Sequence, residues 1–312
     1  MIEAQALTKY FGDTVAVDEL SFAVRPGQVT GFLGSNGAGK STTLRMIVGL
    51  DRPTSGTATV NGRRYADHAA PLRELGSLLE AKSLHKRRTA RSHLLALAQT
   101  HGFSTGRVDE VLDLVGLGAV ADRRAGSFSL GMGQRLGIAA ALIADPAAVI
   151  LDEPVNGLDP DGVLWIRTLL KELAAEGRTV LVSSHLMSEM AVTADHLVII
   201  GRGRLLADTT VAELIARVGV GQVLVRTPAG TELRELLVRH GATVSSDEAG
   251  LLIVNGLTAA AIADLALEHR YAVHELTPQR ASLEQAYMEL TRTAVEYTAD
   301  ETAQRGQAEV AA

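Results

Sequence analysis

Cysteine is absent from all 312 residues. That removes disulfides, thiolate metal sites and thiol nucleophiles together, and fits a reducing compartment. Long apolar runs are also lacking. A membrane-spanning helix needs about 18 consecutive apolar residues, and the best stretch, Ile138 to Ala144, is closed by Asp145. The opening Met1-Ile-Glu-Ala-Gln has neither the basic start nor the apolar centre of a secretory signal, so the expected location is cytoplasmic. Charge of one sign is not in excess: 36 acidic residues face 30 basic ones, a net −6, which disfavours nucleic acid as the main partner. With 46% apolar and 21% charged residues, the composition excludes wholesale disorder and collagen-like repeats. The length suits one large domain and a smaller one.

Short apolar runs at Thr14–Val17, Leu20–Val24 and Val29–Phe32 read as a strand-rich opening layer. A glycine-rich turn then leads into a helical stripe over Ser41–Leu50, stopped by Asp51-Arg52-Pro53. Between Thr89 and Val120 the apolar period lengthens to three or four, which predicts helices within an insert spanning about 85–140. Strand-like Ala148–Leu151, Thr179–Ser183 and Leu197–Ile200 then alternate with helical Val163–Ala175 and Leu186–Val192, the order of parallel βαβ units. Trp165, Met187 and Met190 sit on the helical stripes and read as core. Past Gly219 the pattern becomes strand, helix, two strands, helix, strand (Ala272–Leu276) and a last helix over Ser282–Thr291. That is the order of a ferredoxin-like split βαβ unit. The expected organisation is a domain over 1–217, a small α+β domain over 220–291 and a flexible tail over 292–312.

Gly34-Ser35-Asn36-Gly37-Ala38-Gly39-Lys40-Ser41 satisfies G-x-x-x-x-G-K-[ST] at every fixed position, between a strand and a helix. Such a loop wraps phosphate in backbone N–H groups at the positive end of the following helix. Lys40 should reach the β- and γ-phosphates, and the Ser41 hydroxyl should ligate Mg²⁺. Val149-Ile150-Leu151-Asp152-Glu153 is an apolar strand that ends in two carboxylates, 112 residues after Lys40. At the C-terminal end of a parallel strand they face the ligand crevice. Asp152 is expected to hold Mg²⁺ and Glu153 to take a proton from an attacking water.

Through these motifs the chain resembles the ATP-binding subunits of ATP-binding cassette (ABC) transporters over residues 1 to about 217. Ser129-Leu130-Gly131-Met132 with Gln134-Arg135 is similar to the family signature, Asn156-Gly157-Leu158-Asp159 to its D-loop, and His185 to its switch histidine. The resemblance implies an α/β P-loop ATPase with a helical insert, using ATP and Mg²⁺ and working as a homodimer or with a paired nucleotide-binding subunit. The phosphate loop through Thr42 would bind nucleotide. Ser129 and Gly131 would contact the γ-phosphate held by the other protomer. Phe11 fits the aromatic that stacks on adenine, with Tyr10 as its rival. The nearest branch exports drugs, antibiotics or lipids through separate membrane permease subunits, which places the chain on the inner face of the membrane.

Leu130 and Met132 depart from the signature, and Ser35 replaces a common proline. Glu80 stands where the family usually has a glutamine sensing Mg²⁺ and the attacking water, so the resemblance makes it a metal candidate. Lys82, Lys86, Arg87, Arg88 and Arg91 form a basic run after it, readable as a solvated face or as a surface for the membrane subunit or anionic headgroups. A soluble cassette acting on ribosomes or DNA is the alternative. A single cassette, with 89 residues from Lys40 to Ser129, argues against the tandem and coiled-coil forms of that class.

Overall fold

The N-terminal layer begins earlier than the apolar runs suggest. β1 (Ile2–Phe11) buries Ile2, Ala4 and Leu7 and pairs antiparallel with β2 (Thr14–Val24). β2 passes without interruption through Asp18-Glu19, the two charges that separate its apolar runs in sequence. Register shifts in β1 and a positive φ of 48° at Glu19 absorb the mismatch, while Asp18 pairs with Arg204 at 2.7 Å.

The computed structural model describes residues 1–80, 84–217, 222–248, 250–279 and 282–291. They divide into a unit from Met1 to Thr210 and another beginning at Val211. In the first, β3 (Val29–Leu33) is buried at every position and leads through the glycine loop into α1 (Lys40–Ile47). β4 (Ser55–Val60) completes a three-stranded antiparallel sheet in the order β2-β1-β4. α2 (Pro71–Glu74) and β5 (Leu75–Leu78) precede a run of helices: α3 (Ala90–Thr100), α4 (Thr105–Leu114) and α5 (Leu130–Leu142). Thr89, Ser104 and Ser129 cap these three, each accepting a backbone N–H with its hydroxyl. The alanine-rich Ile138–Ala144 stretch is largely the buried end of α5, as its composition suggests.

The second half of this unit alternates as expected: β6 (Ala148–Asp152), α6 (Pro160–Ala175), β7 (Thr179–Ser184), α7 (Met187–Thr193), β8 (His196–Gly201) and β9 (Arg204–Thr210). The six-stranded sheet runs β5-β6-β7-β3-β8-β9, parallel except for the edge strand β9. Its central strands are fully buried runs, which parallel strands with covered faces require. A core of Leu44, Ile47, Ile150, Leu181, Val198 and the stacked Phe22–Phe32 pair ties this sheet to the antiparallel one.

The second unit starts with α8 (Val211–Arg217) and contains β10 (Val223–Arg226), α9 (Gly230–Arg239), β11 (Thr243–Glu248), β12 (Leu251–Asn255), α10 (Ala259–Glu268) and β13 (Glu275–Pro278). Its antiparallel sheet has the order β11-β12-β10-β13, the ferredoxin-like arrangement. The last strand lies three residues beyond the expected start at Ala272. Arg270 turns the chain with φ 58°, and the Ala272 carbonyl goes to the Thr227 hydroxyl instead of a ladder. Residues 283–291 are helical, with Leu283, Ala286 and Tyr287 buried. The tail over 292–312 lies outside the described residues.

Candidate active site

The glycine loop closes on its own lysine. Gly39 caps α1 in the left-handed region at φ 102°, and a Cβ there would lie 2.5 Å from the Ala16 carbonyl oxygen, so shape and space both demand glycine. Lys40 is buried, its Nζ donating to the carbonyls of Gly34 at 2.6 Å and Ser35 at 3.3 Å. The N–H groups of Lys40, Ser41 and Thr42 belong to the first turn of α1 and have no carbonyl partner within it. Ser35, Asn36, Gly37, Gly39, Lys40, Ser41 and Thr42 line a cleft of about 570 Å³, closed on its other sides by Ala16, Leu79, Glu80, Leu130, Gln134, Asp152, Glu153 and Asn156. Gly34 and Ala38 shape the loop behind that surface: a Cβ on Gly34 would meet the Ile200 carbonyl oxygen at 2.7 Å.

β6 delivers its carboxylates to this cleft. Asp152 Oδ2 accepts from Ser41 Oγ at 3.0 Å, while Oδ1 accepts from Ser183. Glu153 follows with φ 51°, a left-handed backbone unfavourable for a residue with a side chain, which Glu19 and Arg270 also adopt without lining the cleft. Its N–H donates to Ser183 Oγ at 3.0 Å and its carbonyl accepts from Gln134 Nε2 at 3.4 Å. His185 Nδ1 stands 2.8 Å from Glu153 Oε2. The oxygen pair of Ser41 and Asp152 is a hard donor set suited to Mg²⁺ beside phosphate.

Other expected residues lie apart. The Ser129 hydroxyl is used as the α5 cap, accepting from Met132 N–H at 3.2 Å, and neither Ser129 nor Gly131 lines the cleft. Phe11 is 52% and Tyr10 44% exposed at the β1–β2 turn, so neither is core, and neither lines the cleft. Lys9 Nζ lies 5.0 Å from the Phe11 ring centre. Glu80 does line the cleft, and its charge helps hold the Arg45 guanidinium above its ordinary pKa, after the larger hydrogen bond and charge of Asp51. Lys86, Arg87 and Arg88 are exposed, Arg91 pairs with Asp109 and Asp122, and Lys82 lies outside the described residues. Met187 and Met190 are buried as expected. Trp165 is not core: it is half-buried under the Arg135 guanidinium, 4.3 Å from the ring centre, and its N–H reaches the Leu114 carbonyl at 3.3 Å. Sequence reasoning passed over Ala16, Leu79 and Ser183. Only Ser183 carried a signal, a hydroxyl at the end of a strand whose neighbour ends in Asp152.

The family model described as ABC transporter matches residues 17–156. The bacitracin transport ATP-binding protein BcrA of Bacillus licheniformis is 44% identical over 211 residues, 67% of this chain and 69% of that protein. The chain belongs to the ABC transporter family. The cassette is also similar to the Nod factor export ATP-binding protein I of Burkholderia pseudomallei, 35% identical over 76% of this chain and 80% of that one. A solved ATP-binding subunit of an ABC transporter superposes with a TM-score of 0.64 at 29% identity, covering 70% of the cassette chain and 93% of its own. A second model, a domain of unknown function, matches residues 221–284. The protein is thus an ATP-binding, ATP-hydrolysing subunit of an ABC transporter. Among its described residues no helix is long and apolar enough to cross a membrane.

Proposed function

We propose that this cassette powers export of a small molecule, an antibiotic or a lipid through separate membrane subunits, from the cytoplasmic face of the membrane. The names of its bacitracin and Nod factor relatives support that cargo class. The observation carrying the site assignment is the cluster Ser41, Asp152, Ser183, Glu153 and His185 around the phosphate loop. Residues 34–42 bind the triphosphate, with Lys40 leaving its loop carbonyls for phosphate oxygens. Ser41 and Asp152 hold Mg²⁺, with Glu80 as a further oxygen donor. A magnesium ion held by these oxygens would supply positive charge to offset the negative charge of the phosphates. Glu153 Oε2 accepts the proton of the attacking water while His185 fixes the carboxylate at 2.8 Å.

Two cassettes pair head to tail, each adding Ser129 and Gly131 to the site of the other. Their position off the lining of their own cleft supports this. Phe11 or Tyr10 stacks on adenine. The ATPase domain spans 1–217, followed by the small domain over 220–291. Glu153→Gln tests the reading: ATP binding should persist, turnover should fall about 10²–10⁴-fold, and an ATP-bound dimer should accumulate. Turnover within about threefold of the parent would refute it.

A further inference from the structure

We propose that Ser183 is the positioning residue for both carboxylates, setting the rotation of Asp152 and the backbone turn at Glu153; this rests on the roles just given to those two residues. Ser183 lies on β7 directly opposite Asp152 of β6 and has no exposed surface. A hydroxyl carries one proton and accepts through its lone pairs. The Ser183 proton goes to Asp152 Oδ1, and a lone pair receives the Glu153 N–H at 3.0 Å.

The consequence for Asp152 is geometric. One carboxylate oxygen is tied to Ser183 and the other faces the Ser41 hydroxyl at 3.0 Å, so the group cannot rotate without breaking a bond on one side. Its Oδ2 is thereby presented to the place where Ser41 and the phosphates meet. The consequence for Glu153 is conformational. Its φ of 51° is unfavourable for a residue with a side chain, and the turn is held at the N–H by Ser183, through its hydroxyl at 3.0 Å and its backbone carbonyl at 3.3 Å, and at the carbonyl by the Asn156 N–H at 3.2 Å and Gln134 at 3.4 Å.

Burial alone does not require this arrangement. Thr30, on the strand flanking β7, buries its hydroxyl with no hydrogen-bond partner among the described residues, and Ser184 spends its own on the local Leu186 N–H at 3.0 Å. Ser183 instead joins two strands at the residues that face the cleft.

The test compares Ser183→Ala, Ser183→Cys and Ser183→Thr in the full chain, with Glu153→Gln as control. At saturating Mg²⁺, Ser183→Ala should lower kcat roughly 10- to 100-fold, the scale seen when a group orienting a metal ligand is removed, with the KM for ATP within about threefold. The Mg²⁺ concentration for half-maximal binding of a fluorescent ATP analogue, read without turnover, should rise severalfold. Ser183→Thr, which keeps the hydroxyl, should restore both. If the alanine chain does not fold, Ser183→Cys carries the same expectation, because it keeps the volume and donates only weakly. The inference is overturned if a folded alanine or cysteine variant matches the parent in kcat and Mg²⁺ dependence, or if a folded threonine variant is as impaired as they are. An inactive Glu153→Gln beside a fully active Ser183→Ala removes the role of Ser183 alone. An active Glu153→Gln removes the reading of Glu153 itself.

Discussion

His185 Nδ1 lies 2.8 Å from Glu153 Oε2, joining the residue after β7 to the residue after β6 across 32 positions of sequence. The contact orients a carboxylate that otherwise extends into an open cleft. His185→Ala is expected to lower turnover on the order of 10²-fold while nucleotide affinity stays within about threefold. Steady-state hydrolysis and equilibrium binding on the same preparation check this, and parental turnover would take His185 out of the chemistry.

Leu130 fills the notch left by Gly157. A Cβ added at Gly157 would sit 2.2 Å from Leu130 Cδ2, at a backbone φ of 78° that already favours glycine. Gly157→Ala should therefore carry two penalties: about 1–2 kcal/mol of left-handed strain and a steric cost. Only the steric cost should be relieved when Leu130→Ala is made in the same chain. A double-mutant cycle by denaturant unfolding should show coupling of roughly 0.5–3 kcal/mol. Additive penalties would mean that the two residues do not press on each other.

Glu80 brings a third carboxylate to a cleft that already holds Asp152 and Glu153. A carboxylate binds a hard cation more strongly than an amide and repels phosphate when the cation is absent. Glu80→Gln should raise the Mg²⁺ concentration needed for half-maximal hydrolysis and leave metal-free ATP binding unchanged or tighter. Coincident Mg²⁺ titrations of the two proteins would sink the metal role.

A chain ended after Arg217 should still bind ATP, because every residue lining the cleft lies between Ala16 and Asn156. Fluorescent-nucleotide titration of the truncated chain measures this. A soluble, folded truncation without affinity would show that the small domain is needed for the site.

The phosphate loop, Asp152 and Glu153 stood out in the sequence through local context, a glycine run between strand and helix and two carboxylates at the end of an apolar run, whereas His185 stood out through the family resemblance; the fold brings His185 to Glu153 beside the cleft that the loop and the carboxylates line. The parallel sheet was legible for the same reason, since strands such as Val29–Leu33 are apolar at every position. β1, β4, β5 and β9 were not: they are mixed or short, and neighbouring strands complete them. Trp165 looked like core because a helical stripe gives its direction but not what covers it, and an arginine covers it here.

Only the tertiary structure decided which strands became neighbours. The order β5-β6-β7-β3 sets Ser183 opposite Asp152 and brings His185 to Glu153. Local sequence determines what each strand end can do. Pairing between strands some 30 residues apart determines what it does it to, because hydrogen-bond register is a property of two segments and is written in neither alone.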